Sequence, residues 1–300
     1  MKSLRLLPLL PLLLSMPTLL RADVRMPALF GDHMVLQRDL AIPVWGWADP
    51  GEAVAVTLGT GANAATATAT AGDDGAWKVK LPAAAAAGEP TELAVKGKNA
   101  LLFKDVLVGD VWVCSGQSNM EFGIGSFATP DELAAAGDPQ LRLFSVPKRV
   151  SPAPEKEIAP APPNFPLLAS WQVCTPDSLR KSGEWSGFSA VGYYFGKELR
   201  AWTKQPVGLV ESCWGGTRIQ SWISLAMLET MPNKASAAKG AANFRDHYQE
   251  IGQAYAAAYQ QWKEASDKWE AENKDALAAY GKAMEEWRTQ SRAASAQGQP

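Results

Sequence analysis

Ser118 stands in the run Ser115-Gly116-Gln117-Ser118-Asn119-Met120, directly after the apolar stretch 106–114. A serine hydroxyl is a poor nucleophile at neutral pH. It attacks an acyl carbon only with a base in hydrogen-bond reach and with donors for the oxyanion that forms. A tight turn at a strand end lifts such a side chain clear of a sheet, and Gly116 permits the bend. The spacing G-x-S matches half of the nucleophile elbow G-x-S-x-G, but Met120 replaces the second glycine, which argues against an α/β-hydrolase. Taken alone, a serine in a glycine-containing loop also fits a plain turn or a helix cap. A second motif, Gly215-Gly216-Thr217, follows the apolar run 206–211. Two glycines let backbone N–H groups approach a substrate closely, as an oxyanion hole requires. By themselves they also fit a simple turn.

The elements that must position these motifs differ along the chain. Residues 24–104 read as all-β: short alternating or Val/Thr-rich runs at 42–48, 53–59, 77–81 and 92–96, separated by Pro50-Gly51, Asp73-Asp74-Gly75 and Glu89-Pro90. Strands of that length and spacing predict a small β-sandwich over 23–104, with the Ala/Thr run 64–71 as an exposed strand or loop edge. From 105 the pattern changes to a strand over 106–114, a proline-rich loop, a helix over 190–202 and a second strand over 206–211. Val191, Tyr194, Phe195, Glu198, Leu199 and Trp202 trace one face of that helix. Strand, helix and strand predict a parallel sheet with the strands 106–113 and 207–211 adjacent or nearly so. Ligands of such sheets sit beyond the carboxyl ends of the strands, where both motifs fall. Residues 236–300 read as a helical insert and tail. Tyr248, Ile251, Tyr255, Tyr259, Trp262, Ser266 and Trp269, then Ala276, Tyr280, Ala283 and Trp287, make a coiled-coil-like seam, with a turn back near 272–275 and a disordered tail from Thr289.

Composition narrows the function. The 300 residues are 47% hydrophobic and 20% charged, enough apolar material for real cores. A net charge of −2 without a basic stripe excludes a typical nucleic-acid binder. Twelve tryptophans supply flat apolar faces for a core and for sugar rings. Lys2 and Arg5 precede a charge-free apolar run to Leu20, broken by Pro8, Pro11 and Pro17. That run is too short for a membrane span and predicts a signal peptide over 1–22, cleaved near Ala22, with a secreted or periplasmic product. Three cysteines, Cys114, Cys174 and Cys213, leave one unpaired whatever happens. Cys114 and Cys213 fall near the ends of the two strands expected to lie close, where a disulfide is conceivable. The absence of a CxxC pair or a His-rich cluster predicts no metal site, and no cofactor is implied.

Together the motifs are specific. V-W-V-C-S-G-Q-S-N-M with the later G-L-V-E-S-C-W-G-G-T-R-I-Q-S-W resembles the sialate O-acetylesterase family, a branch of the SGNH-type esterases. The lead-in segments F-G-D-H-M-V-L-Q-R, P-V-W-G-W-A-D-P-G and D-G-A-W-K-V-K-L-P share the resemblance, which runs from about residue 27 to 223. It implies an α/β fold: an SGNH-type three-layer α/β/α esterase domain, here its N-terminal part over 105–235. It implies removal of acetyl groups from the hydroxyls of an O-acetylated carbohydrate, with Ser118 as nucleophile. Gly216 would match the oxyanion glycine, with Ser118 adding its own N–H, and Gly215, Thr217, Gln117 and Asn119 are placed with them as oxyanion or substrate-binding residues. The family's acid and histidine lie on a late D-x-x-H motif, preceded by a Q-G-E-x-N segment, and this sequence has neither. Its histidines, His33 and His247, read as structural or surface residues, and the chain reads as a copy truncated inside the insert. The alternative is a non-catalytic carbohydrate-binding protein or inactive fragment.

Overall fold

The computed structural model describes residues 23–151, 153–230, 239–240, 242–243 and 246–296. The expected signal segment lies outside them. Six strands come first: β1 (Val35–Gln37), β2 (Ile42–Trp47), β3 (Ala53–Leu58), β4 (Ala65–Thr70), β5 (Ala76–Leu81) and β6 (Ala87–Lys96). Burial alternates along β2, β3 and β5, so each turns one side inward, as the period of a strand dictates. β2 pairs with β5 in a small sheet, while β3 pairs with both β4 and β6 in a large one. Val44, Val54, Val56, Trp77, Val79, Leu81, Leu93 and Val95 fill the core. The Ala/Thr run is β4, an edge strand that pairs only with β3 and shares a Thr57–Thr66 hydroxyl bond of 2.9 Å.

The next strand, β7 (Ala100–Gly116), is 17 residues long and serves two sheets' worth of partners. Its first part pairs antiparallel with β6, its middle parallel with β1, and its last part parallel with β10 (Val207–Cys213). The boundary expected at 104/105 therefore falls inside a strand, and the described residues on both sides of it, 23–149 and 155–222, belong to one compact unit. β10 lies between β7 and β8 (Asp138–Ser145), parallel to both, and β9 (Trp171–Cys174) closes the edge antiparallel to β8. The chain is thus a mixed α/β fold with a large central sheet. The adjacency predicted for 106–113 and 207–211 holds residue by residue, from Val207 opposite Asp110 to Cys213 opposite Gly116.

Two expectations need correction. The stretch read as proline-rich loop contains β8 and β9. Leu141–Ser145 is wholly buried, and Arg142 in its middle masks an otherwise apolar strand. Helix α4 (Ala190–Thr203) forms where expected, but it buries Ala190, Gly192, Tyr193 and Gly196, and of the face traced from the sequence Tyr194 and Leu199 alone pack, partly buried, against the core. Trp202 is 83% exposed, and Val191 and Phe195 also face outward, with Phe195 edge-on to the exposed Trp112 of β7 at 5.0 Å. The reason is steric. A Cβ on Gly196 would stand 2.7 Å from Leu209 and 3.0 Å from Leu141, and one on Gly192 would stand 3.2 Å from the Cys114 sulfur. Glycines four apart let this backbone approach the sheet closely, and side-chain periodicity cannot report that.

A second compact unit comprises 150–154 and 223–300. Among its described residues are helices α6 (Tyr248–Glu272) and α7 (Lys274–Ala296), separated at Asn273. The predicted break is present, but Tyr255, Tyr259, Trp262, Trp269, Tyr280 and Trp287 are exposed, so the aromatic seam is not buried in a hairpin. The tail expected to be disordered from Thr289 is helical to Ala296. Among the described residues no helix is long and apolar enough to cross a membrane.

Candidate active site

β7 and β10 end level with one another, Ser212 opposite Ser115 and Cys213 opposite Gly116, so the two sequence motifs leave the sheet side by side. Gly116 takes φ +145°, a conformation that favours glycine, and its carbonyl accepts the Trp214 N–H at 3.0 Å. The chain then turns into a one-turn helix, α1 (Ser118–Glu121), with Ser118 as its first residue. A Cβ on Gly215 would lie 3.5 Å from the Ser118 Cα and Cβ, so the glycine turn passes directly against the serine.

Ser118, Gly215 and Gly216 line one cleft of about 340 Å³ with Glu121, Lys148, Phe165, Glu184, Trp185 and Trp214. The Ser118 hydroxyl donates to the Gln117 side-chain carbonyl at 2.9 Å. Gln117 and Asn119 are exposed and do not line the cleft. Thr217 acts on the turn: its hydroxyl donates to the Trp214 carbonyl at 2.7 Å and accepts the Trp222 indole N–H at 2.9 Å.

Sequence reading missed the charged part of the cleft. Glu121 is buried, accepts the Gly215 N–H and pairs with Lys148. Lys148 also pairs with Glu184 at 3.0 Å. Burial by itself lowers the Lys148 pKa, but hydrogen bonds and charge from Glu121 and Glu184 outweigh it and hold the ammonium above the ordinary lysine value. Trp185 stacks on Phe122, with centroids 4.5 Å apart. Glu121 and Trp214 each sit within three residues of a recognised motif residue. Lys148 and Glu184 come from distant loops and carry no local signal.

Neither histidine lines the cleft. His33 Nδ1 bonds Asp105 at 2.6 Å, and His247 Nδ1 lies 3.0 Å from the Asn243 carbonyl. The three cysteines are free. Burial pushes the Cys114 thiol up to about 11 and the Cys174 thiol up to about 12, and it also raises Cys213, with the Glu211 charge adding to Cys114 and Cys213. A thiol held protonated is a poor nucleophile, so Ser118 has no cysteine rival here.

Beneath the site, Glu211 of β10 accepts from the Ser145 hydroxyl at 2.7 Å and lies near the Cys213 thiol at 3.5 Å. Burial raises its carboxyl from 4.5 to about 7, hydrogen bonds from Ser145, Cys213 and the Ser189 backbone oppose the rise, and the Glu121 charge adds to it. The folded state therefore keeps a proton that the unfolded chain releases. Stability is expected to fall as pH rises from about 4.5 to about 7, by on the order of 3 kcal/mol, and to flatten above that. Urea midpoints measured across this range should show the slope, and Glu211→Gln should remove it. An unchanged slope in the variant would assign it elsewhere.

The family model for carbohydrate esterase, sialic acid-specific acetylesterase, matches residues 108–297. The sialate O-acetylesterase of Mus musculus is 32% identical over 220 residues, covering 70% of this chain and 39% of that protein. The Homo sapiens protein of the same name is 32% identical over 227 residues, covering 70% and 42%. The crystal structure of a carbohydrate acetylesterase from Xanthomonas citri superposes with a TM-score of 0.60 at 42% identity, covering 70% of this chain and 44% of that one. The chain thus spans about two fifths of the length of these curated relatives.

Proposed function

We infer the activity from one premise: the chain belongs to the carbohydrate esterase family of sialic acid-specific acetylesterases. On that premise it is the serine-bearing part of an SGNH-type esterase that removes O-acetyl groups from carbohydrates. The Ser118 hydroxyl attacks the acetyl carbonyl while a base takes its proton. The sugar alkoxide leaves with a proton, and water then releases acetate from the acyl-serine. The observation that carries this reading is the level ending of β7 and β10, which sets Ser118 against the Gly215–Gly216 turn at the mouth of one cleft. Because the Gly215 N–H is engaged by Glu121, the oxyanion role falls to the N–H groups of Gly216 and Ser118. Residues 1–22 are read as a signal peptide, so the protein acts outside the cytoplasm.

The test is acetate release from an O-acetylated sugar by this chain extended to the length of its relatives, with and without Ser118→Ala. A loss on the order of 10³-fold or more is expected. Unchanged activity in the variant would reject Ser118 as the nucleophile, and no activity in the parent would favour a carbohydrate-binding role.

A further inference from the structure

Among the described residues, the ladder between β7 and β10 ends with Cys213 opposite Gly116, and one further backbone bond follows it, from the Trp214 N–H to the Gly116 carbonyl. Gly215 and Gly216 lie past that bond. Gly216 has φ +77° and open space where a Cβ would stand, so the sheet does not fix the direction of its N–H. Glu121 reaches across instead. It leaves the one-turn helix α1 three residues after Ser118, is 6% exposed, and accepts the Gly215 N–H. A Cβ on Gly215 would stand 2.6 Å from that carboxylate oxygen, so a larger residue would displace the contact. The carboxylate thus ties the helix that carries the serine to the turn that carries the second oxyanion donor.

We propose, resting on the esterase reading of this cleft, that Glu121 is a positioning residue for acyl transfer: it clamps the glycine turn so that the Gly216 N–H meets the acyl oxygen, and Lys148 cancels its charge there. A carboxylate buried beside the place where an acyl oxygen turns negative would by itself oppose that charge. Lys148 pairs with it, and Glu184 holds Lys148 in place at 3.0 Å. Arg218, next to the turn in sequence, is exposed and does not line the cleft, so the balance falls to Lys148. A buried polar network of this kind is worth its cost only when every member is satisfied. Removing Lys148 alone would strand the Glu121 charge against the oxyanion, whereas removing both charges would not.

The test uses the chain extended to the length of its relatives and a small uncharged aryl acetate, with kcat and KM measured separately and folding checked by thermal melts. Glu121→Ala is expected to lower kcat on the order of 10²-fold or more with KM within about threefold of the parent, the pattern of an interaction made in the transition state. Glu121→Gln, which keeps an amide oxygen for the Gly215 N–H, should lose about tenfold less. Lys148→Met should lower kcat about tenfold or more. Adding Glu121→Gln to Lys148→Met should then restore part of the rate, because it removes the stranded charge. A purely structural role gives the opposite order, with the double variant the slowest. If Glu121→Ala fails to fold, Glu121→Gln and the double variant decide. Unchanged kcat in the Glu121 variants, or a double variant slower than Lys148→Met, would overturn the assignment of Glu121 and leave the esterase reading intact, provided Ser118→Ala still silences the parent. A parent without activity would overturn both.

Discussion

Acetate release by the 300-residue chain on its own is expected to stay at a residual level, no more than about 10³–10⁴ over the uncatalysed reaction. The Ser118 hydroxyl donates to the side-chain amide oxygen of Gln117, and an amide oxygen cannot take a proton at neutral pH. Among the described residues lining the cleft there is no histidine, and His33 is held by Asp105. Glu121, the nearest buried carboxylate by sequence, is committed to Lys148 and the Gly215 N–H. What remains is an approach site for the acyl group and N–H groups for its oxyanion, which accelerate acyl transfer without a general base. Comparing the 300-residue chain with a version extended to the relatives' length, on one aryl acetate and one O-acetylated sugar, measures the difference. Full activity from the short chain would mean that a base exists where none has been recognised.

Asp105→Ala is expected to cost about 1–3 kcal/mol of folding stability, the range for leaving buried donors without a partner, because Arg142 is buried although Asp105 itself is partly exposed. Asp105 accepts two bonds from the Arg142 guanidinium, at 2.6 and 3.0 Å, and one from His33. Arg142 is 2% exposed and would be left charged, with the main-chain carbonyls of Pro139, His33 and residue 105 as its partners. The backbone adds to the effect. Asp105 has φ +53°, which aspartate and asparagine tolerate better than alanine does. Asp105→Asn should therefore lose less than Asp105→Ala. Arg142 and His33 hold the Asp105 carboxyl below its ordinary value against the opposing effect of burial. A carboxyl lowered on folding contributes stability that is present above its unfolded pKa and is lost as pH falls through the folded one. Acid unfolding of the parent should thus begin below about pH 4, and in Asp105→Ala this limb should be missing from an already weakened protein. Chemical denaturation at pH 7 and pH 3 reads both effects. Equal stability of parent and Asp105→Ala at pH 7 would show that solvent reaches Arg142.

What could be read without coordinates was governed by local periodicity and by turn chemistry. The strands 42–47, 53–58 and 76–81 announce themselves by alternation, and Ser118 and the Gly215–Gly216 turn by the breaks that follow apolar runs. What could not be read depended on contacts between distant residues. β8 hides behind Arg142, whose charge is matched by Asp105 from another strand. The true inner face of α4 is marked by two glycines, which carry no hydropathy signal. Lys148 and Glu184 join the cleft only because their loops converge, and Glu211 has an unremarkable place in a strand until burial raises its carboxyl.

The unbroken course of β7 has a mechanical consequence. A lead-in domain joined to a catalytic domain by a flexible tether can swing, screen a substrate entrance or be clipped off by a protease. Here the strand that ends one residue before Gln117 is the same strand that β6 and β1 grip farther back. Rotating the lead-in away would mean tearing ladder hydrogen bonds out of a continuous ribbon, and cutting it away would strip β1 and β6 from the strand that carries the serine turn. The lead-in is therefore a fixed brace for Ser118 and has no joint about which to move.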